Sequence, residues 1–224
     1  MSPHAIEAVL FDLDGTLIDT APDLTGALDE LMAENGLSPL PYDLTRGYAS
    51  HGSNGLVRLG FPGIEGDALE SLRARFLDLY AARLDRESRL FAGCETLLAA
   101  LERGGRRWGI VTNKPAFLTT PLVAALGLDR RAGCVISGDT LPERKPHPAP
   151  LLHAAALFGI DPANCLYIGD AERDIQSARA AGMPVIVARY GYLGPDDDPQ
   201  AWQADGAVDD PRDVLAWLGL TRDS

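Results

Sequence analysis

The stretch Val9-Leu10-Phe11-Asp12-Leu13-Asp14-Gly15-Thr16 decides how the rest of this 224-residue chain is read. Apolar residues from Ala8 to Phe11 suit a strand covered on both faces, and Asp14-Gly15 is a turn signal where that strand would emerge. In extended backbone, side chains two apart point the same way, which lets Asp12 and Asp14 address one ligand; a turn beginning at Leu13 alters that geometry. Taken alone, the same residues also describe a strand ending in an ordinary Asp-Gly turn.

The rest of the chain supplies a context for that strand. From Phe91-Ala92-Gly93 onward, helical and strand-like segments alternate. The expected strands are Trp108 to Asn113, Cys134 to Ser137, Leu166 to Asp170, Val185 to Ala188 and Ala207-Val208. Between them lie helices carrying Leu97 to Leu101, Leu122 to Leu126, Leu151 to Phe158 and Ile175 to Ala181, and a last helix runs from Pro211 to Leu218. Such alternation predicts an α/β fold, a doubly wound parallel sheet with helices on both faces.

Residues 20–89 read differently. Leu24, Ala27, Leu28, Leu31 and Met32 form a helical stripe that Pro22 and Asp23 open and Asn35-Gly36 closes. Further helices are expected near Leu44 and from Leu69 to Tyr80, with Ser50-His51-Gly52-Ser53-Asn54-Gly55 as a polar loop and no convincing strand. The expected division is therefore a core of residues 1–19 and 90–224 with a helical cap, 20–89, inserted between its two parts.

Ligands of open α/β sheets bind beyond the carboxyl ends of the strands. Three expected strands end there in reactive groups: Asp12 and Asp14, then Thr112 and Asn113, then Asp170. A net charge of −12 argues against a nucleic-acid binder, because such affinity comes from Lys and Arg neutralising phosphates. Cys94, Cys134 and Cys165 are widely spaced in apolar surroundings, as expected of buried thiols and unlike a disulfide or zinc framework. With no signal-peptide pattern in Met1 to Glu7 and no apolar run of membrane-spanning length, a cytoplasmic protein is expected, acting without a membrane partner as a monomer or homodimer.

Four motifs in order resemble the haloacid dehalogenase superfamily, in its phosphoglycolate-phosphatase-like branch. They are Asp12-Leu13-Asp14-Gly15-Thr16, Val111-Thr112-Asn113-Lys114, Lys145-Pro146, and Gly169-Asp170 with Asp174 four residues on. The resemblance implies a phosphomonoester hydrolase in which Asp12 attacks phosphorus to form an aspartyl-phosphate, splitting one hard displacement into two easier ones. Asp14 would protonate the leaving alkoxide and later deprotonate water, a task that anionic neighbours favour by keeping a proton on it. Mg²⁺ is the implied cofactor, held by Asp12, the Asp14 carbonyl and Asp170, with Asp174 as a further ligand, a second anchor or simply a helix N-terminal acid. Thr112, Asn113 and Lys145 are similar to the family's phosphate-binding groups; read without it, Thr112 is a helix cap and Lys145 a surface lysine.

Substrate choice is expected in the cap, with Arg46, His51, Ser53 and Asn54 as candidates, and in Lys114 beside the second motif. The segments Trp108 to Pro115 and Tyr190 to Asp197, continuing to Trp202 and Asp205, are similar to the N-acetylmuramic acid 6-phosphate phosphatases of bacterial cell-wall recycling. That likeness implies a sugar-type phosphate ester as substrate, with 2-phosphoglycolate as the alternative and a phosphosugar mutase as a further one. A dehalogenase would have no need of Asp14 and Asp170, and a non-catalytic sugar-phosphate sensor no need of the whole set.

Overall fold

The computed structural model describes residues 6–195 and 197–221; Met1 to Ala5, Asp196 and Arg222 to Ser224, some of which enter the readings above, lie outside them. Six parallel strands form one sheet: β1 (Ala8–Phe11), β4 (Arg107–Val111), β5 (Val135–Ile136), β6 (Cys165–Gly169), β7 (Val185–Ala188) and β8 (Gly206–Val208). Their order is β5-β4-β1-β6-β7-β8, so the strand carrying Asp12 is flanked by those leading to Thr112 and Asp170.

Strand alternation divides the core into two apolar layers. Val9, Phe11, Trp108 and Ile110 face one side with the leucines of α5 (Cys94–Arg103) and α6 (Ala116–Ala125). Ala8, Leu10 and Tyr167 face the other, against α7 (Ala149–Phe158) and α8 (Glu172–Ala181). The doubly wound sheet is thus present, with every β1 residue fully buried. The expected last helix is shorter than its pattern: a 3₁₀ turn, Pro211–Asp213, leads into α9 (Val214–Trp217).

Four helices fill the segment between the first strand and the rest of the sheet: α1 (Ala21–Glu34), α2 (Tyr42–Tyr48), α3 (Gly52–Gly60) and α4 (Gly66–Ala81). Two corrections arise here. The polar Ser50–Gly55 stretch is no loop, since Ala49–His51 make a 3₁₀ turn that runs into α3. Burial of Leu56 and Val57 against the neighbouring helices overrides the weak helix propensity of Gly52 and Gly55. The junctions of the insertion also contain strands, because β2 (Ile18–Asp19) pairs antiparallel with β3 (Arg89–Leu90).

Candidate active site

Beyond the carboxyl end of β1 the backbone turns at once: the N–H groups of Leu17 and Ile18 both donate to the Leu13 carbonyl. Asp12 and Asp14 consequently part company. Asp12 stays over the sheet, while Asp14 accepts hydrogen bonds from Thr20 Oγ1 at 2.6 Å and Lys114 Nζ at 2.9 Å. The anionic neighbours expected around Asp14 are replaced by an ammonium. Gly15 makes the turn possible, since it adopts φ +83° and a Cβ there would lie 2.1 Å from Asp170 Oδ2.

The centre of the site is a buried ion cluster. Lys145 Nζ lies 2.8 Å from Asp12 Oδ1 and 2.7 Å from Asp174 Oδ1, and donates to the Tyr167 hydroxyl at 2.8 Å. Its side chain has no exposed surface, so Lys145 is not the surface lysine that its position before a proline also allowed. Burial pulls its pKa down, but Asp12 and Asp174 outweigh that and leave it above the ordinary lysine value. Burial raises Asp12, against the pull of the Lys145 charge. Asp174 serves two purposes, one oxygen facing Lys145 and the other accepting from the Ala171 N–H at the start of α8.

Asp170 completes the acidic group. Carboxylate oxygens of Asp12, Asp170 and Asp174 all lie within 4.8 Å of one another. Asp170 accepts from Thr16 Oγ1 at 3.2 Å, Ser50 Oγ at 2.8 Å and the Tyr192 N–H at 2.9 Å. Burial, with the charges of Asp12 and Asp174, pushes its carboxyl up to about 7. Three buried carboxylates crowded together offer hard oxygen donors, a set that suits a divalent cation.

The second motif frames the cluster. Asn113 grips the third motif's backbone, donating from Nδ2 to the Lys145 carbonyl at 2.9 Å and accepting from the Lys145 N–H at 3.0 Å. Thr112 Oγ1 accepts from the Lys114 N–H at 3.1 Å, whereas Pro115 occupies the N-cap of α6. These groups open into a cavity of about 690 Å³ between sheet and helical insertion. Asp12, Asp14, Thr112, Asn113, Lys114 and Lys145 line it from below, and His51, Ser53 and Asn54 from the insertion.

A family model described as haloacid dehalogenase-like hydrolase matches residues 6–182. The chain belongs to the haloacid dehalogenase-like hydrolases. It is 47% identical over 204 residues to the phosphoglycolate phosphatase of Xanthomonas campestris, covering 91% of this chain and 92% of that one. It is also 42% identical over 210 residues to the N-acetylmuramic acid 6-phosphate phosphatase of Pseudomonas putida, covering 93% and 94%. Among solved structures, that of a predicted phosphoglycolate phosphatase from Haemophilus somnus superposes with TM-score 0.85 at 29% identity, over 95% of this chain and 98% of that one. The protein is thus an enzyme of the phosphatase type within this hydrolase family. No helix among its described residues is long and apolar enough to cross a membrane.

One candidate of this hydrolase falls elsewhere. Arg46, expected at the substrate, instead donates to the Gly191 and Tyr190 carbonyls and lies over the Tyr192 ring, 5.0 Å from its centroid. Two backbone acceptors and an aromatic face hold its guanidinium against the core. Conversely, residues that the sequence did not mark as site candidates stand in the site. Ser50 reaches Asp170 from the insertion, Arg173 on α8 lines the cavity and donates to the Ser50 carbonyl, and the Tyr80 hydroxyl meets Lys114 Nζ at 2.6 Å. Arg173 was within reach of inspection, being inside the Asp170–Asp174 motif. Tyr80 was hidden as one more apolar member of a helical stripe.

Proposed function

We propose that the enzyme hydrolyses a sugar-sized phosphomonoester through an aspartyl-phosphate on Asp12, and that its substrate is N-acetylmuramic acid 6-phosphate. In this reading residues 1–19 and 90–224 are the catalytic core and 20–89 the cap. The observation carrying the chemistry is the placement of Asp12 against a buried ammonium, on the floor of a cavity that also holds Asp14 and Thr112.

An Asp12 oxygen forms a bond to phosphorus as the ester P–O bond breaks, and the departing alkoxide takes a proton from Asp14. Water then attacks phosphorus, its proton passes to the Asp14 carboxylate, and the Asp12–phosphorus link breaks to release inorganic phosphate. Lys145 neutralises Asp12 and phosphoryl oxygens, while Thr112 and Asn113 orient the group for in-line displacement. The donor set fits Mg²⁺, which Asp12, Asp170, Asp174 and the Asp14 carbonyl would hold and which would supply Lewis-acid stabilisation of phosphoryl charge.

Cavity size supports the substrate. A volume of about 690 Å³ is the scale that encloses a drug-sized ligand, and two-carbon phosphoglycolate would leave most of it to water. The amino-sugar phosphate, with its acetamido and lactyl groups, is of the size that fills it. A relative named for each substrate lies at 47% and 42% identity, and the former keeps phosphoglycolate as the second reading. Parallel kcat/KM measurements on the two esters with Mg²⁺ present decide between them. The proposal expects at least roughly tenfold preference for the sugar ester, about 1.4 kcal/mol in transition-state binding; the reverse preference overturns it, and product isomers in place of free phosphate would indicate a mutase.

A further inference from the structure

Five cationic side chains line the cavity: Arg73, Lys114, Arg144, Lys145 and Arg173. Most have buried partners or lie beside the phosphate-binding motif. Lys145 is held by Asp12 and Asp174, Lys114 by Asp14 and Tyr80, and Arg173 donates to the Ser50 carbonyl beside the acidic cluster. Arg144 is exposed and adjoins Lys145 in the chain. Arg73 differs: its Nε is buried with no hydrogen-bond partner among the described residues. Its Nη1 meets only Glu70, at 2.7 Å, on the same helix, and that carboxylate is largely exposed. A solvent-facing pair three residues apart is worth little, and a buried N–H without an acceptor is a cost that a ligand can remove.

The position of Arg73 says which ligand group it suits. Arg73, Phe76, Leu77 and Tyr80 all line the cavity and lie on one stripe of α4. Tyr80 reaches Lys114, and Lys114 reaches Asp14, so this end of the stripe adjoins the catalytic groups. Arg73 is two turns away, roughly 10 Å along the axis at about 1.5 Å per residue. A ligand touching both must carry a second anion about a sugar ring away from its phosphate. A planar guanidinium with free donors is the group that binds a carboxylate through paired hydrogen bonds.

We propose that Arg73 is a specificity-determining residue that binds a substrate carboxylate remote from the phosphoryl group, the lactyl carboxylate in the substrate reading above, on which this inference rests. Phosphoglycolate, whose carboxylate adjoins its phosphate, cannot span that distance. Arg73 therefore selects sugar-acid phosphates over both short phospho-acids and neutral sugar phosphates.

The test compares kcat/KM for N-acetylmuramic acid 6-phosphate and N-acetylglucosamine 6-phosphate, the same sugar phosphate without the lactyl group. It uses wild type, Arg73→Leu, Arg73→Lys and Arg144→Gln, with circular dichroism and thermal melts to verify folding. Arg73→Leu is expected to lower the ratio of the two values by about 30-fold, about 2 kcal/mol, with Arg73→Lys restoring part of it. A ratio unchanged in Arg73→Leu, or lost in Arg144→Gln instead, overturns the assignment while leaving the phosphatase reading intact. A wild-type enzyme that prefers phosphoglycolate to both sugars overturns the substrate reading, and this inference with it.

Discussion

Lys145 illustrates how one buried residue is held and what it holds in return. Its ammonium sits between Asp12 and Asp174 with no exposed side-chain surface, so its desolvation is offset chiefly by those two carboxylates and by Tyr167. Removing it leaves a buried acidic cluster with much less compensating charge. Lys145→Met, in protein treated with chelator, is expected to lose about 3 to 5 kcal/mol of unfolding free energy in urea as well as phosphatase activity. A loss below about 1 kcal/mol would mean that the cluster relaxes or takes up protons without cost. Asp12, Asp14, Thr112 and Asp170 were legible in the sequence as reactive groups following apolar strands, whereas Lys145, in the loop before α7, and Asp174, within α8, were picked out by the resemblance of their motifs. Ser50 and Tyr80 were not, because a serine in a polar stretch and a tyrosine in an apolar stripe carry no signal until the insertion is folded over the sheet.

Among the elements, the junctions between insertion and core depend on contacts too short-ranged or too remote for sequence periodicity. Two residues on each side pair as β2 and β3, and such brief strands leave no alternating pattern. Asp23, fully buried on α1, accepts from the N–H groups of Glu87 and Ser88 and from Ser88 Oγ, tying the first helix to the chain entering β3. The Tyr192 hydroxyl, buried in the core, accepts from the N–H groups of Thr20 and Ala21 at the other junction and donates to Asp19. Asp23 gave itself away only as a helix-start acid, since its partners lie some 64 residues on. Asp23→Ala leaves three donors unpaired, and a loss of at least about 2 kcal/mol is expected in urea unfolding. An unchanged midpoint would show that water satisfies them at no cost.

For the whole molecule, the parallel sheet was readable because strands buried on both faces announce themselves as apolar runs, and their order places the reactive ends side by side. The same layers seal the thiols. Burial pushes Cys94 and Cys134 up to about 12 and Cys165 up to about 11, so all three are protonated at pH 8. A thiol-reactive disulfide reagent at that pH is expected to modify none of them on the timescale of a free cysteine, and all three after denaturation; rapid native labelling would contradict the burial. Lys145, Asp170 and Asp174 gather around Asp12, and the second motif joins them through the grip of Asn113 on the Lys145 backbone, so replacing Asp12 tests that arrangement most directly. Phosphate release by Asp12→Asn from N-acetylmuramic acid 6-phosphate, with Mg²⁺ present and the fold checked by circular dichroism, is expected to fall at least about 1,000-fold, since the nucleophile itself is gone. Near-normal turnover in that variant would contradict the account.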